Sequence, residues 1–549
     1  VIGWQAASAA PDAEGRRRPP RFRQPGNFML DRRFVRGGWC AASAVLVVIA
    51  TVHSSLAGTT GRLSGLVTNR QKQPLAGANV ILVGIPLGAA TDLEGRFTIL
   101  NIPAGTYSVK ASLIGHTSTT VTDLQIPADR LTTLNIVLEE SALEMEEVVV
   151  SGERPIVDLN LTSNIATLSR EQISRLPVQE LQDLVNLQAG VVEGHFRGGR
   201  LGEVQYQVDG VTANNLYDNQ VAMRLDRSVL EEVQVISGTF DAEYGQAMSG
   251  VVNAVLRRGS DRFQWSGEVF SGAFYFPTTD RVQEFEFNPG GIQNYQLTLS
   301  GPTGLPNTHY LVNGRRYVFE DYLRGIRLFV PSDRRDSVGG YHPSGNQEEV
   351  VVGQYRETSG LIKLTSHSIP KVELSYQAVI NDREAQRTDP LFVINPDGLS
   401  TQNTFSISHG FDWSHAVSQT SYYKLSLRQN YFEYTDHAYE DLYDPRYDEA
   451  GGLAGNQDVA YGAYTEGVDF ARFKQTTNAP VLAGSFSSLR RNHFWKLGGD
   501  VQHPLLEFGN EGHLVYNQEG GVETLIRYED QPPDYPGVSE YHPWLWNAY

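Results

Sequence analysis

The 549-residue sequence contains a single cysteine, Cys40. It falls in a segment that reads as removable, and the rest of the chain then carries no thiol. This excludes a disulfide framework and cysteine-based zinc sites. After residue 60 no apolar run approaches the roughly 18 residues that a membrane-spanning helix needs. Strands of a transmembrane β-barrel alternate in polarity and escape that test. There is no His-Glu-x-x-His and no Gly-Lys pair of a phosphate-binding loop. Cations are in deficit: 45 Lys and Arg against 63 Asp and Glu give a net charge of −18, so no nucleic-acid partner is expected.

What is present is β-forming chemistry in a chain too long for one ordinary domain. Residues 1–57 read as leader and signal peptide. Arg16, Arg17, Arg18, Arg21 and Arg23 stand among prolines ahead of the first methionine, Met29, as in an over-extended reading frame or a disordered leader. From Met29 the chain has the form of a secretory signal: Arg32, Arg33 and Arg36, an apolar core over 39–52, then Ser55-Leu56-Ala57 before a cleavage point. Cys40 precedes that core, which argues against a lipoprotein anchor.

Residues 61–140 carry short β runs at 63–67, 78–83, 96–99, 107–113 and 134–138. Turn chemistry separates them: Gln73-Pro74-Leu75-Ala76-Gly77, Thr91-Asp92-Leu93-Glu94-Gly95 and Pro103-Ala104-Gly105. The pattern predicts an all-β sandwich. These pieces resemble the carboxypeptidase regulatory-like domain, a non-catalytic appendage with an Ig/transthyretin-like fold. Asn69 departs from the aspartate usual in that family. Asp92 and Glu94 are read as a solvated hairpin turn in preference to metal ligands.

Residues 156–260 read as a small α/β domain. Val204, Tyr206 and Val208 alternate with polar residues, so one face is buried. Asp209-Gly210 is a tight-turn signal, and Val233, Val235, Val251 and Val252 add the β-branched bias of strands. Ser169-Arg170-Glu171-Gln172 marks the capped start of a helix. The ordered set Arg197-Gly198-Gly199, Asp209-Gly210, 230–238, Tyr244-Gly245 and Gly250-Val251-Val252-Asn253 resembles the plug domain of TonB-dependent outer-membrane receptors. Leu176-Pro177 and Gln188-Ala189-Gly190-Val191 resemble two further landmarks, with Ala189 in place of proline. The resemblance implies that Arg197, Gly198, Gly199, Asp209, Gly210, Tyr244, Gly245, Gly250 and Asn253 are plug structure. It also implies that Arg197 faces carboxylates of a barrel wall.

Residues 144–155 link sandwich to plug. Acidic residues, three valines, then glycine and proline describe an exposed strand that ends abruptly. The segment resembles a TonB box. Glu147, Val148, Val149, Val150 and Ser151 would then add to the sheet edge of TonB through main-chain hydrogen bonds. The alternative is a last strand of the sandwich followed by a linker.

From 261 to 549 long alternating, aromatic-rich runs predict antiparallel strands. Short polar turns such as 366–370 alternate with long polar loops at 320–355, 383–402 and 435–478. That asymmetry fits a transmembrane barrel, with Trp265, Phe274, Tyr310, Trp413, Tyr431 and Trp495 as interface girdles; a soluble sandwich or propeller is the alternative. The length supplies about ten to twelve strands, whereas the resemblance implies a barrel of about 22. An open edge in lipid is not viable, so the expectation is a fragment cut within the barrel. The expected fold class is mainly β: sandwich, small α/β plug and partial transmembrane antiparallel β-barrel.

Asp436, Tyr439, Glu440, Asp441, Tyr443 and Asp444 cluster in one long loop. Carboxylates and tyrosines there suit a cation, a metal chelate or a sugar; a merely solvated acidic loop is the other reading. His437-Ala438-Tyr439-Glu440 matches the short His-x-x-Glu of zinc carboxypeptidases, without support elsewhere, so no catalytic residue, resident metal or cofactor is expected. The resemblance implies a transporter or receptor in the outer membrane of a Gram-negative-type bacterium, with the sandwich in the periplasm. Its implied partners are TonB with the inner-membrane ExbB/ExbD motor, outer-membrane lipid and a nutrient ligand (metal chelate, glycan or other). A glycan importer would add a surface lipoprotein. No bond is broken in such a cycle, so no enzyme is expected. The alternative function is a surface binding or adhesion protein without transport.

Overall fold

The computed structural model describes residues 59–140, 148–151, 164–238, 240, 243–273, 290–336, 338–441, 444–447, 459–469, 472–490, 493–511, 513–519, 522–529 and 537–549. The leader and signal at 1–57, Glu147, Phe274 and Tyr443 lie outside the described residues.

Apolar side chains at alternate positions build the first unit. Strand Thr60–Thr68 pairs antiparallel with Arg96–Pro103 and parallel with Leu131–Thr133 and Ile136–Val137. A second sheet runs Gly88–Ala90, Asn79–Leu82, Gly105–Ser112, Thr119–Ile126, Val148–Ser151. Leu63, Val67, Val80, Phe97, Ile99, Val109, Ile126 and Ile136 share one apolar core, the filling of a sandwich. Asp92 Oδ1 accepts the N–H groups of Glu94 (3.0 Å) and Arg96 (2.7 Å). Asp92 is thus a turn former, as its sequence context implies.

The second unit is a five-stranded mixed sheet in the order Asn164–Ser169, Leu230–Ser237, Gly250–Leu256, Val204–Val208, Val211–Thr212. Only Val204–Val208 and Gly250–Leu256 pair in parallel. Helices Arg170–Arg175 and Leu181–Asn186 contribute Ile173, Leu181, Leu184 and Val185 to its core. The Ser169 N–H donates to Gln172 Oε1 at 2.9 Å, a bond of the capping box that starts the first helix.

The third unit is a twelve-stranded antiparallel sheet, within the about ten to twelve strands that the length allows. Its main path runs Gln264–Gly272, Ile292–Pro302, Thr308–Glu320, Gln354–Ser366, Val372–Gln386, Thr401–Ser418, Ser421–His437, Phe473–Arg490, His493–Gln502, Leu545–Ala548. Leu505–Gly509 and Val538–Tyr541 continue it beside Phe473–Arg490. Connections at one end are short, 303–307, 367–371 and 419–420; those at the other are long, 321–353, 387–400 and 438–472. Side chains alternate across the sheet. Asn294, Gln296, Asn313, Arg315, Lys363, Gln377, Arg428 and Thr477 are buried on the inner face, while Leu297, Ile362, Phe411, Leu425, Leu427 and Leu497 stand exposed on the outer one. An exposed apolar band behind a polar interior is the pattern of a wall that faces lipid. Trp265, Tyr310, Trp413 and Trp495 have the outward parity and lie close to the short turns, the position of a girdle; Tyr431 lies higher on the same face.

Candidate functional site

Three of the plug's motif residues, Asp209, Gly210 and Asn253, converge on one turn. Asp209 and Gly210 adopt left-handed backbone (φ 52° and 83°), as a two-residue hairpin turn requires. The Asp209 N–H donates to Ala254 O at 2.9 Å. Asp209 Oδ1 accepts the Leu256 N–H at 3.0 Å, and Asn253 Oδ1 accepts the Gly210 N–H at 3.2 Å. Asn253 thus fixes the turn from the neighbouring strand. The remaining oxygen, Asp209 Oδ2, takes Lys363 Nζ of the wall at 2.7 Å. Both residues are buried, with 3 % and 5 % exposure.

The other motif positions pack. A Cβ on Gly250 would come within 2.3 Å of the buried Phe196 ring. Tyr244 packs with Ile236 and Val251. A Cβ on Gly245 would strike Asn547 of the wall at 2.5 Å. Gly198 is left-handed (φ 82°), and a Cβ on Gly199 would meet Ser249 at 2.5 Å. Arg197 departs from its implied role. It is exposed, its guanidinium lies beside Gly238 of the plug itself, and among the described residues it forms no ion pair with the wall. Its left-handed backbone (φ 47°), with its N–H donating to Gly190 O at 2.8 Å, turns it back on its own domain.

The wall carboxylates instead meet other plug arginines. Arg227 pairs with Glu268 at 2.8 Å and Arg258 with Glu373 at 2.7 Å. In the reverse sense, plug Glu180 holds wall Arg315 at 3.1 Å and also plug Arg224 at 3.1 Å. Sequence reasoning missed this belt of charges. Its one signal is that Arg315, Lys363 and Glu373 occupy the inward phase of strands whose outward phase is apolar. Among plug groups, burial and then nearby Arg170 pull the Arg257 guanidinium down to about 10.

Strand Val148–Ser151 takes the place of a last sandwich strand, the alternative reading of the linker. It pairs parallel to Thr119–Ile126 as the last strand of the sandwich sheet, from Thr119↔Val148 to Thr122↔Ser151. No other described strand lies on its far edge, and Val149 and Val150 are 64 % and 48 % exposed.

The acidic residues are held by neighbouring side chains, and Asp436 lies at the end of strand Ser421–His437 instead of in the loop. Asp436 is buried against Arg387 and accepts Gln402 Nε2 at 2.9 Å. Asp444 is paired with Arg446 at 2.7 Å, and the hydrogen bond from Arg446 holds its carboxyl below the ordinary value. Arg472 donates to the carbonyls of Tyr439 (2.8 Å) and Glu440 (2.9 Å). Tyr447 is edge-on to Tyr439 at 4.9 Å. The Asp441 carbonyl accepts the Asp444 N–H at 3.2 Å. Among the described residues no group of three or more His, Cys, Asp or Glu has metal-binding geometry. Together with 321–353 and 387–400, this end forms a packed cap: Ile326 N–H donates to Val393 O (2.7 Å), Asn395 Nδ2 to Gly467 O (2.9 Å), and Phe392 meets Tyr464 at 5.0 Å.

Two family models match the chain. Residues 63–150 match the family model of the CarboxypepD_reg-like domain, so the match includes three of the four residues of strand Val148–Ser151. Residues 158–252 match that of the TonB-dependent Receptor Plug Domain. The chain thus carries a TonB-dependent receptor plug domain behind a CarboxypepD_reg-like domain. The chain is 26 % identical over 249 residues to the TonB-dependent transporter Oar of Myxococcus xanthus, covering 42 % of this chain and 23 % of that protein. It is 22 % identical over 541 residues to the TonB-dependent receptor P3 of Formosa agariphila, covering 88 % and 49 %. It therefore spans about half the length of the latter relative and less of the former. The outer membrane transporter YddB of Escherichia coli is a similar solved structure, 12 % identical with a TM-score of 0.49 over 69 % of this chain and 52 % of that one.

Proposed function

We propose that this chain belongs to a TonB-dependent outer-membrane transporter that takes up a nutrient ligand. The observation that carries the reading is the polar, charge-paired seat of the plug on the inner face of an apolar-faced wall, preceded in sequence by a strand with an open edge. In this reading the long-loop cap faces the exterior and meets the ligand, and the short turns and the sandwich face the periplasm. TonB, driven by the ExbB/ExbD motor and the inner-membrane proton gradient, adds to the free edge of Val148–Ser151 and pulls. The ligand class stays open between metal chelate, glycan and other nutrients, with a surface lipoprotein as partner in the glycan case. The committed carboxylates of the acidic loop favour a structural role for Asp436 and Asp444. The exposed strand edge favours transport over the alternative of a surface binding protein. Deletion of residues 146–151 tests the choice: ligand uptake is expected to stop while binding at the cell surface persists. Unchanged uptake would sink the transport reading.

A further inference from the structure

Three sets of contacts seat the sandwich on the plug and the wall. Two wall lysines each hold both other domains. Lys424 Nζ donates to Thr59 Oγ1 at the start of the sandwich (2.9 Å) and to the Asp209 carbonyl of the plug (3.4 Å). Lys496 Nζ pairs with Asp129 of the sandwich (2.9 Å) and Glu243 of the plug (2.6 Å). Next, the sandwich loop that follows Ile126 lies on the plug sheet. Glu232 Oε1 accepts the Ala128 N–H (3.2 Å), Gln234 Nε2 donates to Ala128 O (2.8 Å), and Arg130 Nη1 donates to Thr167 Oγ1 (3.3 Å). Finally, Ser414 Oγ of the wall donates to Asn101 Oδ1 (3.1 Å), and the Arg62 guanidinium covers the Phe494 ring at 3.8 Å. The wall residues in these contacts lie near the short turns. Cavities of about 290 Å³ and 320 Å³ flank the seam, and Thr60 lines both.

We propose that the docked sandwich is a latch on the plug: it holds plug and wall together through Lys424 and Lys496, and the plug leaves its seat only after the sandwich lets go. The inference rests on the TonB-driven reading above. Strand Val148–Ser151 is the handle. It is hydrogen-bonded to Thr119–Ile126, and that strand runs directly into the loop 127–130 that grips Glu232, Thr167 and Lys496. A pull on the handle therefore loads the sandwich's seat before it reaches the plug, which follows the handle in sequence.

The test reads plug movement directly. Thr212 lies on the plug against the wall, its carbonyl accepting Asn430 Nδ2 at 3.0 Å. In the full-length protein, in cells and in a Cys40→Ser background, Thr212→Cys reports withdrawal of the plug by its rate of labelling with a small polar maleimide. Asn101→Cys with Ser414→Cys, oxidised, locks the sandwich to the wall. Labelling is expected to rise several-fold on energising the cells when the reporter is alone, to stay at the unenergised rate when the lock is oxidised, and to recover on reduction. Labelling is read on the proteolytic peptide that holds position 212, because reduction also frees the thiols at 101 and 414, and recovery there shows that the cysteine pair leaves the fold intact. Equal energised labelling with and without the lock overturns the latch and leaves the transport reading standing. A reporter that never responds to energisation removes the driven-plug reading, and the latch with it.

Discussion

The interior of the sandwich and the seat of the plug are built from opposite materials. The sandwich core is hydrocarbon throughout, from Leu63 and Val67 to Ile126 and Ile136. The plug's contact with the wall has a small apolar part, Val211 against Val481 and Ala483, but sets charged groups beside it, buried Asp209 with buried Lys363 and Glu180 with buried Arg315. Hydrocarbon burial is non-directional and roughly proportional to area. A buried ion pair adds little net stability over a hydrophobic contact, yet is costly to break in half. The sandwich is thus made to stay folded wherever it sits. The plug is held in one register by groups that water can satisfy once the partners separate.

Breaking the hydrocarbon side should have the largest effect. Phe97 is 2 % exposed in the sandwich core, and Phe97→Ala is expected to cost about 3–5 kcal/mol. The loss should appear as protease sensitivity confined to residues 59–140. Equal destabilisation of the plug would show that the two cores are one. The polar side should answer differently. Lys363→Met strands Asp209, at a cost of about 3 kcal/mol, the lower end for a broken buried pair, because Asp209 keeps its Leu256 N–H. Adding Asp209→Asn removes the stranded charge while retaining a turn former, and should restore more than half of the lost thermal stability. A double variant no better than the single one would mean that the Asp209–Lys363 pair does not decide the seat.

The same contrast explains what could be read in the chain. Local chemistry was legible: the Asp209-Gly210 turn, the Ser169 cap, the alternation of the wall strands and most strands of the sandwich. Thr119–Ile126 was not, because Thr119, Thr120 and Val121 are buried in succession and no alternation marks them. Long-range polar partners were also hidden. Lys363 lies 154 residues from Asp209, and Arg387 lies 49 from Asp436; nothing near either carboxylate names its cation. The motif points Arg197 at the wall, and its left-handed backbone turns it away. For Val148–Ser151 the sequence poses two alternatives, and the fold shows the last strand of the sandwich sheet, with its far edge uncovered by any described strand.

The subtlest expected effect lies where the two materials meet. Glu232 is 2 % exposed under the sandwich loop. Burial pushes its carboxyl up to about 7 from an ordinary 4.5, against the hydrogen bonds from Gln234 and Ala128 and the charge of Arg130, while Glu231 adds to the rise. Once the sandwich leaves, water reaches the carboxyl and its affinity for protons falls toward the ordinary value. The docked state thus binds the proton more tightly, and protons favour docking. Docking should be firmest below about pH 4.5, weaken as pH rises through about 7, and level off above that. Thr60→Cys, buried at the seam between the two cavities, reports undocking by maleimide labelling across that range. Labelling corrected for the intrinsic pH dependence of the thiol should rise with pH in the otherwise native protein. Glu232→Gln keeps an amide oxygen for the Ala128 N–H but cannot ionise, so its corrected profile should be flat. If the Gln variant keeps the slope, another group sets it, and Glu232 is a neutral spacer between hydrocarbon and polar seat.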